Sequence, residues 1–497
     1  MEFVQNFPPF SIIFCLASAV VSSALSGKAA KRLTITLMCV LGVMSAAVLA
    51  YTVKTADTFV YVMGNFPAPW GNELRAGMLE GLMAVFFCII MLLSILGGLK
   101  KIEEDTDPEK LSLYFIMLDL LMASLMALIY TNDLFTAYVF VEINTIAAGA
   151  LIMIRENGHT LVAATKYMVM SLLGSGLILM GIAMLYGLTG HLLMENIHES
   201  VVMLIHTGEY ALPLTVVIGL LSVGLAIKSA LFPFHSWLPG AYGYSTATSA
   251  AVLSSLVSKS YIFLLIKIFY RVIGNKTMAV HGIDDILFAF GIIGMIVGSV
   301  VAIRQTDIRR LIAYSSVAQI GYIYMGIGLK SSVGMMAAVF HILSHAATKS
   351  MLFIAASGLS DASCGSKDFT DLKGAGFRDK ISGVAFAVGA MSMVGIPLLS
   401  GFTAKVYFAE AGLNADNTRL EITLLALAIS TILNAIYFIR ATISIYTPDR
   451  NDHMSAPDKK NYLMAFALIC FVVLNFVLGI GAYPIVNIIN HGLAIFG

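Results

Sequence analysis

Apolar runs of about 20 residues recur along the whole chain and are separated by short polar or glycine-containing turns. As an α-helix, each run is long enough to cross the hydrocarbon core of a bilayer. The chain is 59% apolar and 12% charged, whereas a soluble protein carries about 25% charged residues. We therefore predict an all-α, polytopic membrane protein with about fourteen transmembrane helices. The runs cover approximately residues 10–25, 33–51, 77–98, 111–131, 134–154, 161–187, 212–236, 248–270, 282–303, 308–328, 333–358, 381–411, 420–445 and 461–487.

The distribution of basic residues predicts how these helices are oriented. If the N-terminus lies outside and the chain alternates, the basic residues of the connections fall mainly inside, as at Lys31, Arg32 and Lys373. Lys267 and Arg271 belong to the smaller outer group, at the rim of the membrane. Because cytoplasmic loops carry an excess of Lys and Arg, this bias favours an outside N-terminus in a plasma or inner cell membrane. The first run lacks the positive n-region of a signal peptide, so we interpret it as a spanning helix.

Composition and motifs argue against several classes of function. The net charge is +1, which gives no indication of nucleic-acid binding. The five cysteines form no CxxC pair, so a structural zinc, an iron–sulfur cluster or a disulfide framework is not expected. The sequence contains no P-loop, dinucleotide fingerprint or HExxH motif. We therefore expect no cofactor and no catalytic constellation in this chain, and a membrane-embedded enzyme is a minor alternative.

Lysines inside the predicted spans are the main functional signal. A lysine near the middle of a membrane costs roughly 2.5–3.5 kcal/mol or more, so such residues usually serve a function. Lys166 lies about one turn inside its helix, where a long side chain also reaches the headgroups by snorkelling. The others lie deeper or next to a helix break, which favours a functional role. The five lysines are Lys166, Lys228, Lys259, Lys349 and Lys405.

Two of these lysines neighbour a helix that proline interrupts. Pro233 follows Lys228 in IKSALFPFHSWLP, whereas Pro397 and Gly401 precede Lys405 in GIPLLSGFTAK. Proline removes a backbone donor and breaks a helix, which at membrane depth is tolerated only beside protein or water. A break beside a charge therefore indicates a place where an ion is handled. The order of lysine and proline is reversed between the two segments, as an inverted repeat would leave it.

Acidic residues within the spans are fewer. Glu142 lies in the middle of LFTAYVFVEINTIAAGALIM, which has no other charge. A carboxylate in such a place needs a positive partner to stay ionised, and we predict that this partner is Lys228. Asp119 is a second acid within a span, for which a structural role and a place on an accessory proton path both stay open. Glu80 and Glu410 lie near helix ends and are expected to face the headgroups.

Two histidines and a lysine share one helix face. His341, His345 and Lys349 are spaced by four residues in FHILSHAATKSMLF. Histidine titrates near neutral pH, so this group suits a proton relay, and His235 beside the first break is interpreted in the same way. Zinc binding is not expected, because it would need a third ligand and would not tolerate the adjacent ammonium. Ordinary interior histidines are the alternative.

Together these residues predict a route for protons through the membrane. Opening and closing of the pair between Glu142 and Lys228 would make Lys228 hold or release a proton. The proton would then pass to Lys259, across the helix face with the histidines, and on towards the second break. The predicted route comprises Glu142, Lys228, Lys259, His345, Lys349 and Lys405, and its accessory positions are Lys166, His235, His341 and Asp119.

Several ordered segments resemble the signature segments of antiporter-like membrane subunits. They are TNDLFTAYVFVEI, KYMVMSLLGSGLILMGIAMLYGLTG, IKSALFPFHSWLPGAY, TDIRRLIAYSSVAQIGY, FHILSHAATKSMLF and GIPLLSGFTAK. This family includes the proton-pumping membrane-arm subunits of respiratory complex I, the large subunits of Mrp-type Na⁺/H⁺ antiporters, and relatives in membrane-bound hydrogenases. FPAPWG and SSLVSKSY look most like the D-type Mrp subunit and its hydrogenase counterpart, whereas GYST after LPGAY departs from the family pattern.

The resemblance implies an architecture and a function. It implies three N-terminal helices in 1–110, inverted five-helix repeats in 111–272 and 281–446 that each form a proton half-channel, and helix 14 in 460–497, with helices 7 and 12 broken. The implied function is proton translocation in a multisubunit cation/proton antiporter or redox-driven ion pump. Other membrane subunits and lipid are the implied partners, and Na⁺ stays open as a second ion beside H⁺. A stand-alone secondary transporter for a small solute is the remaining alternative.

Overall fold

The computed structural model describes residues 3–66, 71–207, 210–274, 282–448 and 461–496. These residues form a bundle of α-helices, and twelve of the helices are long and apolar enough to cross a membrane. The prediction of an all-α, multi-pass membrane protein is therefore confirmed. The count of fourteen spans and the two inverted repeats stay predictions. The remaining candidates are one interior helix of lower hydropathy and one that is divided into two short pieces.

Nineteen α-helices and two short strands make up the described parts of the chain. The helices are α1 (Phe7–Ser23), α2 (Gly27–Thr55), α3 (Met78–Asp105), α4 (Leu111–Tyr130), α5 (Leu134–Met153), α6 (Gly158–Thr189), α7 (Met194–Thr207), α8 (Ala211–Ser229), α9 (Leu238–Tyr244), α10 (Ala247–Ile273), α11 (Ile283–Ile303), α12 (Ile308–Gly328), α13 (Ser332–Asp361), α14 (Ala375–Arg378), α15 (Lys380–Val394), α16 (Ser400–Leu413), α17 (Asn417–Tyr446), α18 (Tyr462–Ile480) and α19 (Ala482–Ala494). Strands β1 (Phe59–Val62) and β2 (Glu73–Ala76) form an antiparallel hairpin.

Side-chain caps determine where several helices begin. Asp133 accepts a hydrogen bond of 2.6 Å from the backbone N–H of Thr136 at the start of α5. Asp307 accepts from the backbone N–H groups of Arg309 and Arg310 at the start of α12. These carboxylates satisfy backbone donors that the first helical turn leaves free. Both lie in connections that the sequence identifies as polar turns.

Both proline-containing interruptions are present. α8 ends where Ala230 adopts a left-handed φ of 62°, and Pro233 lies in the gap before α9. α15 ends where Gly395 adopts a φ of 95°, and Pro397 lies in the gap before α16. The last carbonyls of α8 and α15 lose their helical partners at these gaps, so other donors have to satisfy them.

The helices differ in how deeply they lie in the bundle. α10 and α13 are buried along their whole membrane-spanning length, whereas α1, α2, α6, α17 and α18 expose a large part of their apolar surface. α10 carries Lys259 and α13 carries Lys349. The two most enclosed helices of the described chain therefore carry ammonium groups, which is where their charge is hardest to accommodate.

Two glycines bring α6 close to the helix that carries Lys228. A Cβ atom on Gly224 of α8 would lie 2.8 Å from the carbonyl oxygen of Gly174 on α6. A Cβ on Gly174 would lie 3.2 Å from the Cγ of Lys228. Glycine at both positions thus lets the two backbones touch and packs α6 against the lysine stem.

Two connections differ from the prediction. The segment between the second and third helices, expected to be a packed loop, contains the β1–β2 hairpin, in which Val60 pairs with Arg75. The amphipathic helix α7 was not predicted, and it packs against the end of α10. The predicted turns that include 67–70, 275–281 and 449–460 lie outside the described residues.

The expectation that Glu80, Lys267 and Arg271 face the membrane rim is wrong. Glu80 forms a fully buried ion pair with Arg271, whose Nε also donates to the carbonyl oxygen of Phe496 (2.7 Å). Lys267 is fully buried and donates to backbone carbonyls at the end of α4, including that of Thr131 at 2.6 Å. A position near a helix end does not mean exposure here, because α3, α4 and the residues after α19 cover this end of α10.

Replacing Glu80 with Gln is expected to destabilise the protein. The Arg271 guanidinium would keep its charge in a buried place, and breaking a buried pair in this way costs about 3–5 kcal/mol. Combining Glu80→Gln with Arg271→Gln should recover much of this loss. Glu103→Gln is the control and should change the stability little, because Glu103 lies in an exposed ion pair with Lys31. Thermal unfolding of the detergent-purified protein measures this, and equal midpoints for Glu80→Gln and Glu103→Gln would contradict it.

Candidate functional site

Lys228 lies in the last turn of α8, directly before the first interruption. Its Nζ is 2.6 Å from the hydroxyl of Thr145 and 3.6 Å from Oε1 of Glu142, both on α5. The ammonium also lies 5.7 Å from the ring centroid of Tyr261 on α10. The carbonyl end of a helix favours a positive charge. Lys228 is thus held by a helix end, a hydroxyl, an aromatic ring and the predicted carboxylate.

Glu142 lies closer to the protein surface than the sequence indicates. Its side chain is 29% exposed, whereas that of Lys228 is fully enclosed. The carboxylate therefore stands where the interior meets the outer face of α5, and the ion pair crosses that boundary. A change in what covers this face would alter the solvation of the carboxylate and with it the attraction on Lys228.

A chain of polar side chains continues inwards from this pair. The hydroxyl of Tyr261 donates to Oδ1 of Asn144 (2.9 Å), and Nδ2 of Asn144 donates to Ser124 (2.9 Å). All three side chains are buried. Tyr261, Asn144 and Thr145 were not predicted from the sequence, although amides and hydroxyls within otherwise apolar helices are a signal for such a network.

Lys259 lies two residues after a π-helical segment of α10, Leu253–Val257. Its Nζ donates to the carbonyl oxygen of Ser254 within that segment and to the hydroxyl of Ser258 at 3.2 Å. The residue is fully buried. π-Helical turns inside α-helices occur frequently at functional sites. Here the turn provides the carbonyl oxygen to which the ammonium group of Lys259 donates.

His341, His345 and Lys349 face the interior from α13. The two imidazole rings stack at a centroid distance of 5.9 Å with an interplanar angle of 8°. Their ring nitrogens have no hydrogen-bond partner among the described side chains and backbone groups. Lys349 donates to the carbonyl of Ile312 (2.9 Å) and to the hydroxyl of Ser315 on α12. The predicted shared face therefore turns towards α12, where the ring of Tyr322 lies 5.6 Å from that of His341.

Lys405 folds back across the second interruption. Its Nζ donates to the carbonyl of Val394, the last residue of α15, at 2.7 Å and to the hydroxyl of Thr431 on α17 at 3.0 Å. The ring of Tyr322 lies 5.9 Å away. Lys405 therefore donates to the carbonyl end of the half-helix before its break, whereas Lys228 lies in the last turn before its break and has Thr145 and Glu142 as partners. A positive charge is favoured at the carbonyl end of a helix in both places.

Polar side chains from α11 and α17 lie in the half of the bundle that holds Lys349 and Lys405. The hydroxyl of Tyr437 donates to Oδ1 of Asn434, which also accepts from Ser299 (3.4 Å). All three are buried, and Asn434 donates weakly to the carbonyl of Met393 near the end of α15. These groups and Thr431 are polar side chains of the interior that were not predicted from the sequence.

Most of the accessory positions lie apart from the buried lysines of the predicted route. Lys166 is exposed on the outer face of α6. Asp119 is buried between α1 and α4, where Ser18 donates to its Oδ2 at 2.6 Å. His235 is half-buried in the first interruption and stacks on Phe232 at 5.5 Å. Among these residues, only His341 lies next to the buried lysine and histidine side chains, and the roles of all four stay predictions.

The TDIRRL segment, at the start of α12, contacts the end of α9 and the connection after α13. Arg309 is buried and donates to three carbonyl oxygens, those of Tyr242, Ser245 and Thr246, at the end of α9. Nearby, the backbone N–H of Ile308 donates to the carbonyl of Lys367 (2.9 Å) in the connection after α13. Burial and the positive charge of Arg309 lower the pKa of Lys367 to about 8.

Comparison with known proteins establishes the family. Residues 131–434 match the model of the family described as NADH:quinone oxidoreductase/Mrp antiporter, TM. The chain is 33% identical over 404 residues to the N subunit of NADH-quinone oxidoreductase from Desulforudis audaxviator, covering 81% of this chain and 78% of the relative. It is 25% identical over 479 residues to the D-type subunit of the Na⁺/H⁺ antiporter from Bacillus subtilis, covering 96% and 94%. The chain belongs to this family of antiporter-like membrane subunits.

Two solved structures share the whole fold. A chain of the membrane-bound sulfane sulfur reductase, an archaeal respiratory membrane complex, has a TM-score of 0.87 at 23% identity and aligns with 100% of this chain and 98% of its own. A chain of the Mrp complex from a Dietzia species has a TM-score of 0.88 at 21% identity, with coverage of 99% and 97%. The resemblance stated from the sequence motifs is therefore confirmed at the level of family and fold.

Replacing Thr145 with Val is expected to weaken the environment of Lys228. The ammonium would lose its shortest hydrogen bond in a buried place, which costs about 1–3 kcal/mol. Thr165→Val is the matched control, because Thr165 is exposed and bonds only within its own helix. Thermal unfolding in detergent compares the two variants. If their midpoints were equal, the hydroxyl of Thr145 would not support the lysine.

Proposed function

We propose that this chain is the proton-translocating membrane subunit of a multisubunit cation/proton antiporter or redox-driven ion pump. The observation that carries the proposal is the arrangement of its lysine-bearing helices. α8 packs against α10, α10 packs against α13, and α13 packs against α16. Each of these helices carries a lysine of the predicted route whose Nζ is bonded inside the protein. A series of ammonium groups in an apolar bundle has no evident purpose in packing, since each of them is costly to bury.

The first step of the proposed mechanism takes place at the pair of Lys228 and Glu142. An enclosed ammonium persists only where protein groups replace the water it has lost. The hydroxyl of Thr145 is a constant partner, whereas the partly exposed Glu142 is the charge that can move or change its solvation. When Glu142 turns away, Lys228 holds its proton less firmly and can pass it inwards.

The proton then travels between half-channels. In the proposed order it moves from Lys228 to Lys259, and from there to the face formed by His345 and Lys349. The unpartnered ring nitrogens of His341 and His345 support a relay at this point, because an imidazole accepts and donates a proton at its two nitrogens. The last group is Lys405, with Thr431 as its neighbour.

The proposed arrangement in the membrane follows the family. The two repeats, 111–272 and 281–446, would each form one half-channel, preceded by the helices of 1–110 and followed by 460–497. The N-terminus would lie outside a plasma or inner cell membrane, which is supported by the excess of basic residues in the connections on the other side.

The partners are proposed to be other membrane subunits. Apolar side chains of α1, α2, α6, α17 and α18 are widely exposed, so lipid and neighbouring subunits share these faces. The relatives are named as subunits of NADH-quinone oxidoreductase and of Na⁺/H⁺ antiporters. We propose H⁺ as the ion that this subunit moves, with Na⁺ as the second ion of the complex if it is an antiporter.

Alanine at Lys228 or Glu142 is expected to abolish coupled proton transport while assembly is retained. Each replacement removes one charge of the pair that starts the transfer. Lys31→Ala is the control, because Lys31 lies in an exposed ion pair with Glu103. Proton uptake by membrane vesicles, measured with a pH-sensitive dye and normalised to assembled complex, is the test. Unchanged uptake in both variants would refute the proposal.

The proteins that purify with this chain in mild detergent are expected to decide which kind of complex it serves. Redox subunits with metal centres would indicate a redox-driven pump, and only small membrane subunits would indicate an antiporter. Mass spectrometry of the affinity-purified complex makes this measurement. Recovery of a monomeric chain that transports ions alone would contradict the multisubunit assignment.

A further inference from the structure

Asn475 is the one polar side chain among the five buried residues of α18. Its Oδ1 accepts hydrogen bonds from the backbone N–H of Ser400 (3.2 Å) and from the hydroxyl of the same residue (3.1 Å). Its Nδ2 donates to the hydroxyl of Thr348 on α13 at 2.8 Å. One amide therefore connects three helices, α13, α16 and α18, in the interior of the bundle.

The bonds between Asn475 and α16 lie at the first residue of that helix. Ser400 is the first residue of α16, and Leu399 before it provides no side-chain cap. The first N–H groups of a helix have no partner within the helix. Asn475 satisfies the first of them and Ser392 of α15 satisfies the next, at Gly401 (3.2 Å). The cap of this half-helix is therefore supplied from outside, across the interruption.

Further contacts fix α18 against the interruption. The hydroxyl of Thr403 donates to the carbonyl of Gly479 at 3.0 Å. A Cβ atom on Gly479 would lie 2.2 Å from the carbonyl oxygen of Leu398, so glycine is needed for this close approach. The hydroxyl of Ser344 on α13 donates to that of Ser400 at 2.8 Å. α16 is thus held at its start by three helices, α13, α15 and α18, with Ser400 at the centre.

Both ends of the Asn475 bridge lie close to a lysine of the proposed route. Thr348 directly precedes Lys349, whose Nζ is bonded to α12. Ser400 stands five residues before Lys405, roughly 7.5 Å along the helix axis. A shift or rotation of α16 at Ser400 would therefore move Lys405 away from the carbonyl of Val394, to which it donates at 2.7 Å.

We propose that Asn475 is a positioning residue for proton transfer at the second interruption. It holds the start of α16 at a fixed distance from α13 and thereby sets where the ammonium of Lys405 lies relative to Lys349. The inference rests on the proposed proton-translocating function. It assigns a role in transport to α18, which lies outside the part of the chain that matches the family model.

The test uses the assembled complex with Asn475→Leu, which is similar in size but makes no hydrogen bond. We expect transport per assembled complex to fall roughly 5- to 100-fold, as for loss of a buried hydrogen-bonding partner. Thr348→Val should give a smaller loss in the same direction, because it removes only the link to α13. Val473→Ala, on the exposed side of the same helix, is the control and should transport normally.

A second measurement separates positioning from a general effect on stability. In a Lys405→Arg background, whose residual transport no longer depends on the lysine, Asn475→Leu should cause little further loss. An equal loss in both backgrounds, or lower assembly in place of lower transport, would overturn the inference. Normal transport by Asn475→Leu would also overturn it. If Lys405→Arg and Lys228→Ala both transport normally, the proposed function itself fails, which is a distinguishable result.

Discussion

Hydrogen bonds from buried ammonium groups to backbone carbonyl oxygens are the interaction on which the interior of this protein depends. Lys259 bonds to Ser254, Lys349 to Ile312 and Lys405 to Val394, and Lys267 uses carbonyls at the end of α4. Among the described residues, Lys228 is the buried lysine that differs, because its Nζ donates to the hydroxyl of Thr145 and has a carboxylate within 4.0 Å. Carbonyl dipoles replace the hydration of these cations without adding negative charge. The lysines are therefore held without being neutralised, which a group that exchanges a proton requires.

The sequence was sufficient for the fold class and for most of the unusual residues. The apolar runs predicted a multi-pass helical protein, and the prolines next to Lys228 and Lys405 predicted both interruptions, because a proline beside a charge at membrane depth is tolerated only where protein or water satisfies the freed backbone groups. It was not sufficient for Glu80 and Lys267, which were expected at the rim. Distance from a helix end does not reveal whether another element covers that end, as the end of α4 covers Lys267 and Phe496, after α19, covers Arg271.

Other parts of the site could not be predicted because they depend on contacts between distant segments. Asn475 has no charged neighbour and no motif, and its importance appears only when Ser400 is seen to begin a helix beside it. Tyr261 and Asn144 belong to helices far apart in sequence and meet through packing. The pairing of Glu142 with Lys228 was an inference from charge balance. The structure adds that Glu142 lies partly at the surface, where neighbouring subunits or lipid would contact it.

The π-helical turn at Leu253–Val257 of α10 determines how this helix tolerates the loss of a residue. Such a turn accommodates one residue more than a regular α-helical turn, and successive residues of an α-helix are rotated by about 100°. The side chains before Leu253–Val257 are therefore rotated about the helix axis relative to those after it, compared with a regular α-helix. Lys259 and Lys267 both follow the turn, so their orientation relative to each other is unaffected by it. Loss of a single residue there would rotate one part of the helix against the other by almost a third of a revolution. Either Lys267 would leave its carbonyl partners at the end of α4, or the preceding half of the helix would lose its contacts with α3 and α13.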